Sequence, residues 1–188
     1  MPIRAVLDSC VLYPLPLRDT LLRVAEIGLL EPRWSDRILE EVERNLVSDD
    51  RATPEQFARL RDAMNDAFDG ALVAAEAIVD IEPSMKNEAH DRHVLAAAVV
   101  ADAEMVVTTN IRHFPSSACD PHAIDVVHPD ELLTDFAELH PGLIRAALVR
   151  QAEKLRKPPM DVERILKLLS PAVPRFVEAI GDIGRQKP

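Results

Sequence analysis

Positive charge, aromatic rings, cysteine and long apolar runs are all scarce in this sequence, and each scarcity excludes something. Lysine and arginine number 22 against 32 aspartates and glutamates, a formal charge of −10. A protein that coats nucleic acid unaided is basic. If this chain handles nucleic acid, metal ions and a local basic patch must offset its acidity; the plain reading of the charge is solubility. Aromatic residues make up 4% of the chain, which leaves the core to Leu, Val, Ile and Ala. Two cysteines, Cys10 and Cys119, are too few for a disulfide framework or a zinc site, and they suit a reducing compartment. No apolar run reaches the length of a membrane span. The chain enters a strand-like segment at once, without a charged leader and an apolar signal region. The expectation is a cytoplasmic protein with no membrane association. Internal repeats and low-complexity segments are also missing.

What is there suits a folded domain. At 188 residues, 47% apolar and 29% charged, the chain can bury a full core, and its length fits one domain with an appendage. Ile3-Arg4-Ala5-Val6-Leu7 reads as a buried parallel strand that stops at Asp8. In open α/β sheets ligands bind at the carboxyl edge of the strands, which is where this acid falls. Met105-Val106-Val107-Thr108-Thr109 is a second such strand, stopping at Asn110, and Ile124 to Val127 is a short third. Strands separated by helical segments predict an α/β fold with a mostly parallel central sheet flanked by helices.

The helical segments carry the other candidates. Pro14 and Pro16 oppose an early helix, so the first begins near Leu17 or Arg18 and frays at Gly28. Trp34-Ser35 ends a short extended link, and Ser35 is a good N-cap for Asp36 to Val47. The stripe there is Ile38, Leu39, Val42 and Leu46, and at about 100° per residue Glu40 falls nearly opposite it. Glu41 sits at its border, where a carboxylate either reaches over the edge of the core or joins the solvated face. Thr53-Pro54-Glu55-Gln56 starts a scaffold helix with a capping box, and Leu72 to Glu82 shows no firm pattern. Val94 to Ala101 reads as a tightly packed helix. Asp91 projects onto the centre of its stripe one turn early, as a site residue or as a first-turn acid favoured by the helix dipole. His90 and His93 read as metal ligands or, three apart and without further partners in the sequence, as polar neighbours of a cap. A helix runs from Pro129-Asp130-Glu131 to about Leu139. Leu143 to Arg156, Val162 to Leu169 and Phe176 to Ile183 follow as further helices. The first of these carries Arg145, Arg150, Lys154 and Arg156, followed by Lys157, against a lone Glu153, either a solvated face or a phosphate-binding strip.

In this order the chain resembles the PIN domain, and within it the VapC-like toxin ribonucleases. The resemblance spans Ile3 to Leu139. It rests on Asp8-Ser9-Cys10-Val11-Leu12-Tyr13-Pro14, Ser35-Asp36-Arg37-Ile38-Leu39-Glu40-Glu41, Asp91-Arg92-His93-Val94-Leu95-Ala96-Ala97-Ala98 and Thr108-Thr109-Asn110-Ile111-Arg112-His113-Phe114-Pro115. It implies a PIN-like nuclease domain over residues 1–139; the helical C-terminal extension over 140–188 is read from its own pattern and lies outside the resemblance. The family's acids map onto Asp8, Glu41 and Asp91, with Asn110 at the fourth position. It further implies Mg²⁺ or Mn²⁺ as cofactor, RNA as substrate and an antitoxin protein as partner, with a homodimer left open. Arg150, Lys154 and Arg156 are the candidates for holding RNA. Three positions depart from the family: Asn110 and His113 stand where many relatives carry acids, and Cys10 stands where Asn is common.

The chemistry needs these residue types. Hard dications take oxygen ligands and keep several waters, and clustered carboxylates repel one another without a cation between them. The cation activates a bound water and neutralises charge on the phosphate under attack. Asp8 and Asp91 are the first ligands, Glu41 binds a second metal or orients water, and Asn110 adds a hydrogen bond but no charge. With one carboxylate fewer, metal binding should be weak and should favour Mn²⁺ over Mg²⁺. The alternative is a PIN-like scaffold that binds RNA or a protein without cutting. A phosphatase of the haloacid dehalogenase type would need a second Asp two residues after Asp8, where Cys10 stands.

Overall fold

The computed structural model describes residues 1–154 and 160–185. In chain order the elements are β1 (Ile3–Leu7), α1 (Ser9–Leu12), α2 (Leu15–Glu26), β2 (Leu30–Arg33), α3 (Asp36–Ser48), α4 (Pro54–Ala67), α5 (Ala75–Ile81) and α6 (Arg92–Val100). They continue with β3 (Met105–Val107), α7 (Ser116–Cys119), β4 (Asp125–Val127), α8 (Pro129–Leu139), α9 (Pro141–Lys154), α10 (Val162–Leu169) and α11 (Pro174–Arg185). By packing they form two compact units. One comprises Ile3–Tyr13 and Glu31–Val127, the other Met1–Pro2, Pro14–Leu30 and His128–Pro188.

The first unit holds the sheet, in the order β2-β1-β3-β4. β1 runs parallel to β3 with Val6 opposite Val106, and β3 parallel to β4 with Val106 opposite Val126. Ala5, Val6, Leu7, Val106 and Val107 are fully buried, as the near-continuous apolar runs of a covered parallel sheet require. β2, expected only as an extended link, is a strand that contains Pro32. Proline cannot donate to the ladder, so its place is at a sheet edge, where β2 lies. α3 opens on Ser35, whose hydroxyl accepts from the Ile38 N–H at 3.2 Å. It buries Ile38, Leu39, Val42 and Leu46 and leaves Glu40 exposed. Both bonds of the expected capping box are made at the start of α4. α5 fills the stretch that showed no pattern. α6 packs on β1 and β3, and its buried Ala96, Ala97 and Ala98 allow a close approach.

The second unit is helical: α2 packs on α9 and α10, and α8 on α9 and α11. α2 starts at Leu15, earlier than the prolines suggested. Pro14 caps it and Pro16 lies in the first turn, where an absent N–H leaves no bond unmade. It ends at Gly28, which takes φ 78° and returns its N–H to the Ala25 carbonyl at 2.9 Å. Thr20 Oγ1 donates to Gln151 Oε1 at 2.9 Å, joining α2 to α9. Although α2 and α8 precede residue 140, in packing they group with the helices that follow it. Arg145, Arg150 and Lys154 are exposed on α9; Arg156 and Lys157 lie outside the described residues. Among the described residues, no helix is long and apolar enough to cross a membrane.

Asp130 on α8 is buried. Its carboxylate accepts the Phe176 N–H at 2.9 Å and the Arg175 N–H at 3.3 Å, so it caps α11 from another helix. Asp130→Ala leaves both helix-end donors without their acceptor. It should lower unfolding stability by about 1–3 kcal/mol, with Asp130→Asn intermediate. Denaturant unfolding followed by helical circular dichroism measures this. A loss of no more than a few tenths of a kcal/mol would mean that water replaces the cap.

Candidate active site

The turn from β1 into α1 places the first acid. Asp8 still belongs to the sheet, its N–H donating to the Val107 carbonyl at 3.1 Å, while its own carbonyl accepts from Val11 and Leu12 of the helix. Its side chain therefore turns into the seam between β1 and β3 and is only 2% exposed. Oδ1 accepts the Ser9 N–H at 2.6 Å and the Ser9 hydroxyl at 3.3 Å. Oδ2 accepts the Thr108 hydroxyl at 2.6 Å and the Cys10 thiol at 3.2 Å. All four donors are neutral. A buried carboxylate is held in such a place by hydrogen bonds or by positive charge, and among the described residues Asp8 has only the former.

Thr108 carries the strand-end geometry onward. Its hydroxyl accepts the Asn110 N–H at 3.0 Å, which fixes the turn at the end of β3. Asn110 is half-buried there. The Thr109 N–H points to Cys10 Sγ at 3.2 Å, so the residue that replaces the usual Asn bridges the same two strand ends.

Glu41, on the border of the α3 stripe, is half-buried and turned toward α6. Its Oε1 lies 3.1 Å from His93 Nε2. Burial pushes the Glu41 carboxyl upward. The His93 contact, with help from Ser9 and Arg37, outweighs burial and holds it below the usual carboxylate value. Asp91 heads α6 but makes no capping bond with its side chain. Its Oδ2 lies 2.6 Å from His113 Nδ1 instead. His113 is anchored by its own N–H to the Asn110 carbonyl at 2.8 Å.

Thr108 thus links Asp8 to the Asn110 backbone, and His113 links Asp91 to the same strand-end loop. Of the RNA-holding candidates, Arg150 and Lys154 belong to the helical unit and Arg156 lies outside the described residues. Oxygen from three carboxylates and one amide suits a hard dication in kind. Each carboxylate is turned on a protein partner, and among the described residues no three His, Cys, Asp or Glu side chains gather where they could hold one ion. Three participants escaped the sequence reading: Ser9, Thr108 and His93. The signal for Thr108 was a hydroxyl inside an otherwise apolar strand. His93 sits in sequence beside exposed His90 and shows its burial only when α6 docks.

The PIN domain family matches residues 4–112, and the family described as the VapC50 C-terminal domain matches residues 129–182. Asp8, Glu41, Asp91 and Asn110 all fall within the first span. A protein of Mycobacterium tuberculosis, VapC50, whose name offers ribonuclease as a provisional role, is 39% identical over 97 residues. That alignment covers 52% of this chain and 57% of the relative, so the chain spans little more than half the relative's length. No solved structure matches.

Cys10 lies within reach of the Asp8 carboxylate, and that position fixes its chemistry. Burial, reinforced by the Asp8 charge, pushes its thiol from 9.0 up to about 11. Only the thiolate is nucleophilic. That rise leaves about 100-fold less thiolate at pH 8. In a Cys119→Ser background, native Cys10 should alkylate with iodoacetamide about 100-fold more slowly than in the unfolded chain, and Asp8→Asn should recover part of the rate. Native labelling at the unfolded rate would place the thiol outside the Asp8 pocket.

Proposed function

Because the chain belongs to the PIN domain family, we propose that it is a metal-dependent ribonuclease hydrolysing RNA phosphodiester bonds. In the same reading it is the cytoplasmic toxin of a toxin–antitoxin pair, with an antitoxin protein as its partner. The observation that carries the chemistry is the Asp8 carboxylate, buried at the carboxyl edge of β1 and β3 with neutral donors only. An anion in that position is where an added dication gains most. Asp8 and Asp91 would hold Mg²⁺ or Mn²⁺, with Glu41 serving a second ion or a water. The metal would supply an activated water and offset charge on the phosphate.

The chain's own residues then have distinct tasks. Ser9 and Thr108 hold Asp8 rigidly, so its oxygens are pre-aimed. Asn110 presents an amide that can bond a ligand or a water without adding charge. His113, 2.6 Å from Asp91, competes with a cation for that oxygen. Together with the missing fourth carboxylate this makes for weak loading and a preference for Mn²⁺. On α9, exposed Arg150 and Lys154 offer phosphate contacts.

Asp8→Asn and Asp91→Asn should each cut Mn²⁺-dependent RNA cleavage at least about 100-fold, with circular dichroism unchanged. Asn110→Asp should lower the Mn²⁺ concentration needed for half-maximal cleavage. Full activity in either Asn variant would remove that acid from the site. Purified wild type that binds RNA yet never cuts it, at any Mn²⁺ or Mg²⁺ concentration, would leave a binding scaffold in place of a nuclease.

Arg150→Ala with Lys154→Ala should weaken RNA binding. It should also flatten the slope of log affinity against log salt by about 1.4, the counterion release of two single-strand phosphate contacts. An unchanged slope would return α9 to a solvated face.

A further inference from the structure

Among the described residues His93 is the most deeply buried histidine, 1% exposed, and neither ring nitrogen has an aligned hydrogen bond. An imidazole always carries at least one donor, and when neutral one acceptor, so its surroundings should hold partners for both. Two features meet the ring. Glu41 Oε1 lies 3.1 Å from Nε2, close but off the hydrogen-bond direction. A cavity of about 100 Å³ borders the ring, with Ser35, Asp36, Arg37, Glu82 and Ile78 among its walls. The Arg37–Glu82 ion pair, at 2.8 Å, joins two of its lining residues.

We propose that His93 is a positioning residue for Glu41, steadying its carboxylate at the strand-edge site. This rests on the placement of Glu41 in the active site proposed above. The route of action is short, a single 3.1 Å contact from His93 Nε2 to Glu41 Oε1. His93 itself is too buried to meet RNA. Its effect must therefore pass through Glu41. Partners of this kind orient a ligating carboxylate, and their loss weakens metal affinity or activity about 10- to 100-fold.

The test uses the full chain and four variants: His93→Leu, His93→Gln, Glu41→Gln and Glu40→Gln as an exposed control. Mn²⁺ binding without RNA is measured by calorimetry, kcat and KM on one RNA by cleavage, and folding by circular dichroism and melting. His93→Leu should raise the Mn²⁺ dissociation constant and lower kcat by about 10-fold or more with KM unchanged. His93→Gln, whose amide can still reach toward Glu41, should recover most of both. Wild-type Mn²⁺ binding and kcat in His93→Leu overturn the proposal. So does a His93→Gln variant as impaired as His93→Leu, because packing alone would then explain both. Should His93→Leu fail to fold, His93→Asn decides. Its amide is too short to span the gap, and Mn²⁺ affinity equal to that of His93→Gln overturns the proposal. Glu41→Gln separates the two levels. If it matches Glu40→Gln in every readout, Glu41 is not in the site and both readings fall. If it is impaired while the His93 variants are not, only the role of His93 falls.

Discussion

A carboxylate with almost no contact with water, held by four uncharged donors, is the constraint on which the sheet-bearing unit depends. Hydrogen bonds to a charged group contribute about 1.5–3 kcal/mol each, and leaving such a group buried without them costs more than any one of them returns. Each donor must therefore be in register. The parallel pairing of β1 with β3 sets Leu7 against Val107, which brings the next residue of each strand, Asp8 and Thr108, side by side. The sharp start of α1 brings the Ser9 amide and the Cys10 thiol to the same two oxygens. A slip of one residue in either strand would turn Thr108 to the other face of the sheet and leave the anion underbonded.

The other acids are arranged on a different principle. Asp8 has only neutral partners, whereas Glu41 and Asp91 each face an imidazole. This divides the edge into one strongly held anion and two whose partners are themselves titratable. At the strand-end loop Asn110 is neutral, and His113 supplies the ring that engages Asp91.

Much of this was legible in the sequence where a local rule decides the outcome. Apolar runs ending in polar residues revealed β1 and β3, the helical wheel separated exposed Glu40 from half-buried Glu41, and Thr53 with Gln56 announced α4. Features that arise through space were not legible. Pro32 disguised β2, because an edge strand tolerates what a central strand does not. Pro14 and Pro16 hid the true start of α2, since the first turn of a helix has no bond for proline to break. Asp91 read as a first-turn acid or as a site residue, and its spacing could not show the contact with His113 from a loop 22 residues later. The burial of His93 depends on α6 docking against its neighbours, a fact absent from the spacing of His90 and His93.

The helical unit is discontinuous, and this bears on how the chain leaves the ribosome. α2 is made early, but its packing partners α9 and α10 lie beyond residue 140. About a hundred residues separate the end of its segment at Leu30 from the resumption of the unit at His128. At roughly 5–20 residues per second, the nascent α2 waits on the order of 5–20 s with Leu17, Leu21 and Val24 lacking the helices that later cover them. Closing so long a loop is slow compared with local helix formation. The sheet-bearing unit, complete once Val127 has emerged, can therefore assemble before the helical one. The apolar face of α2 is the surface most in need of a chaperone during that interval.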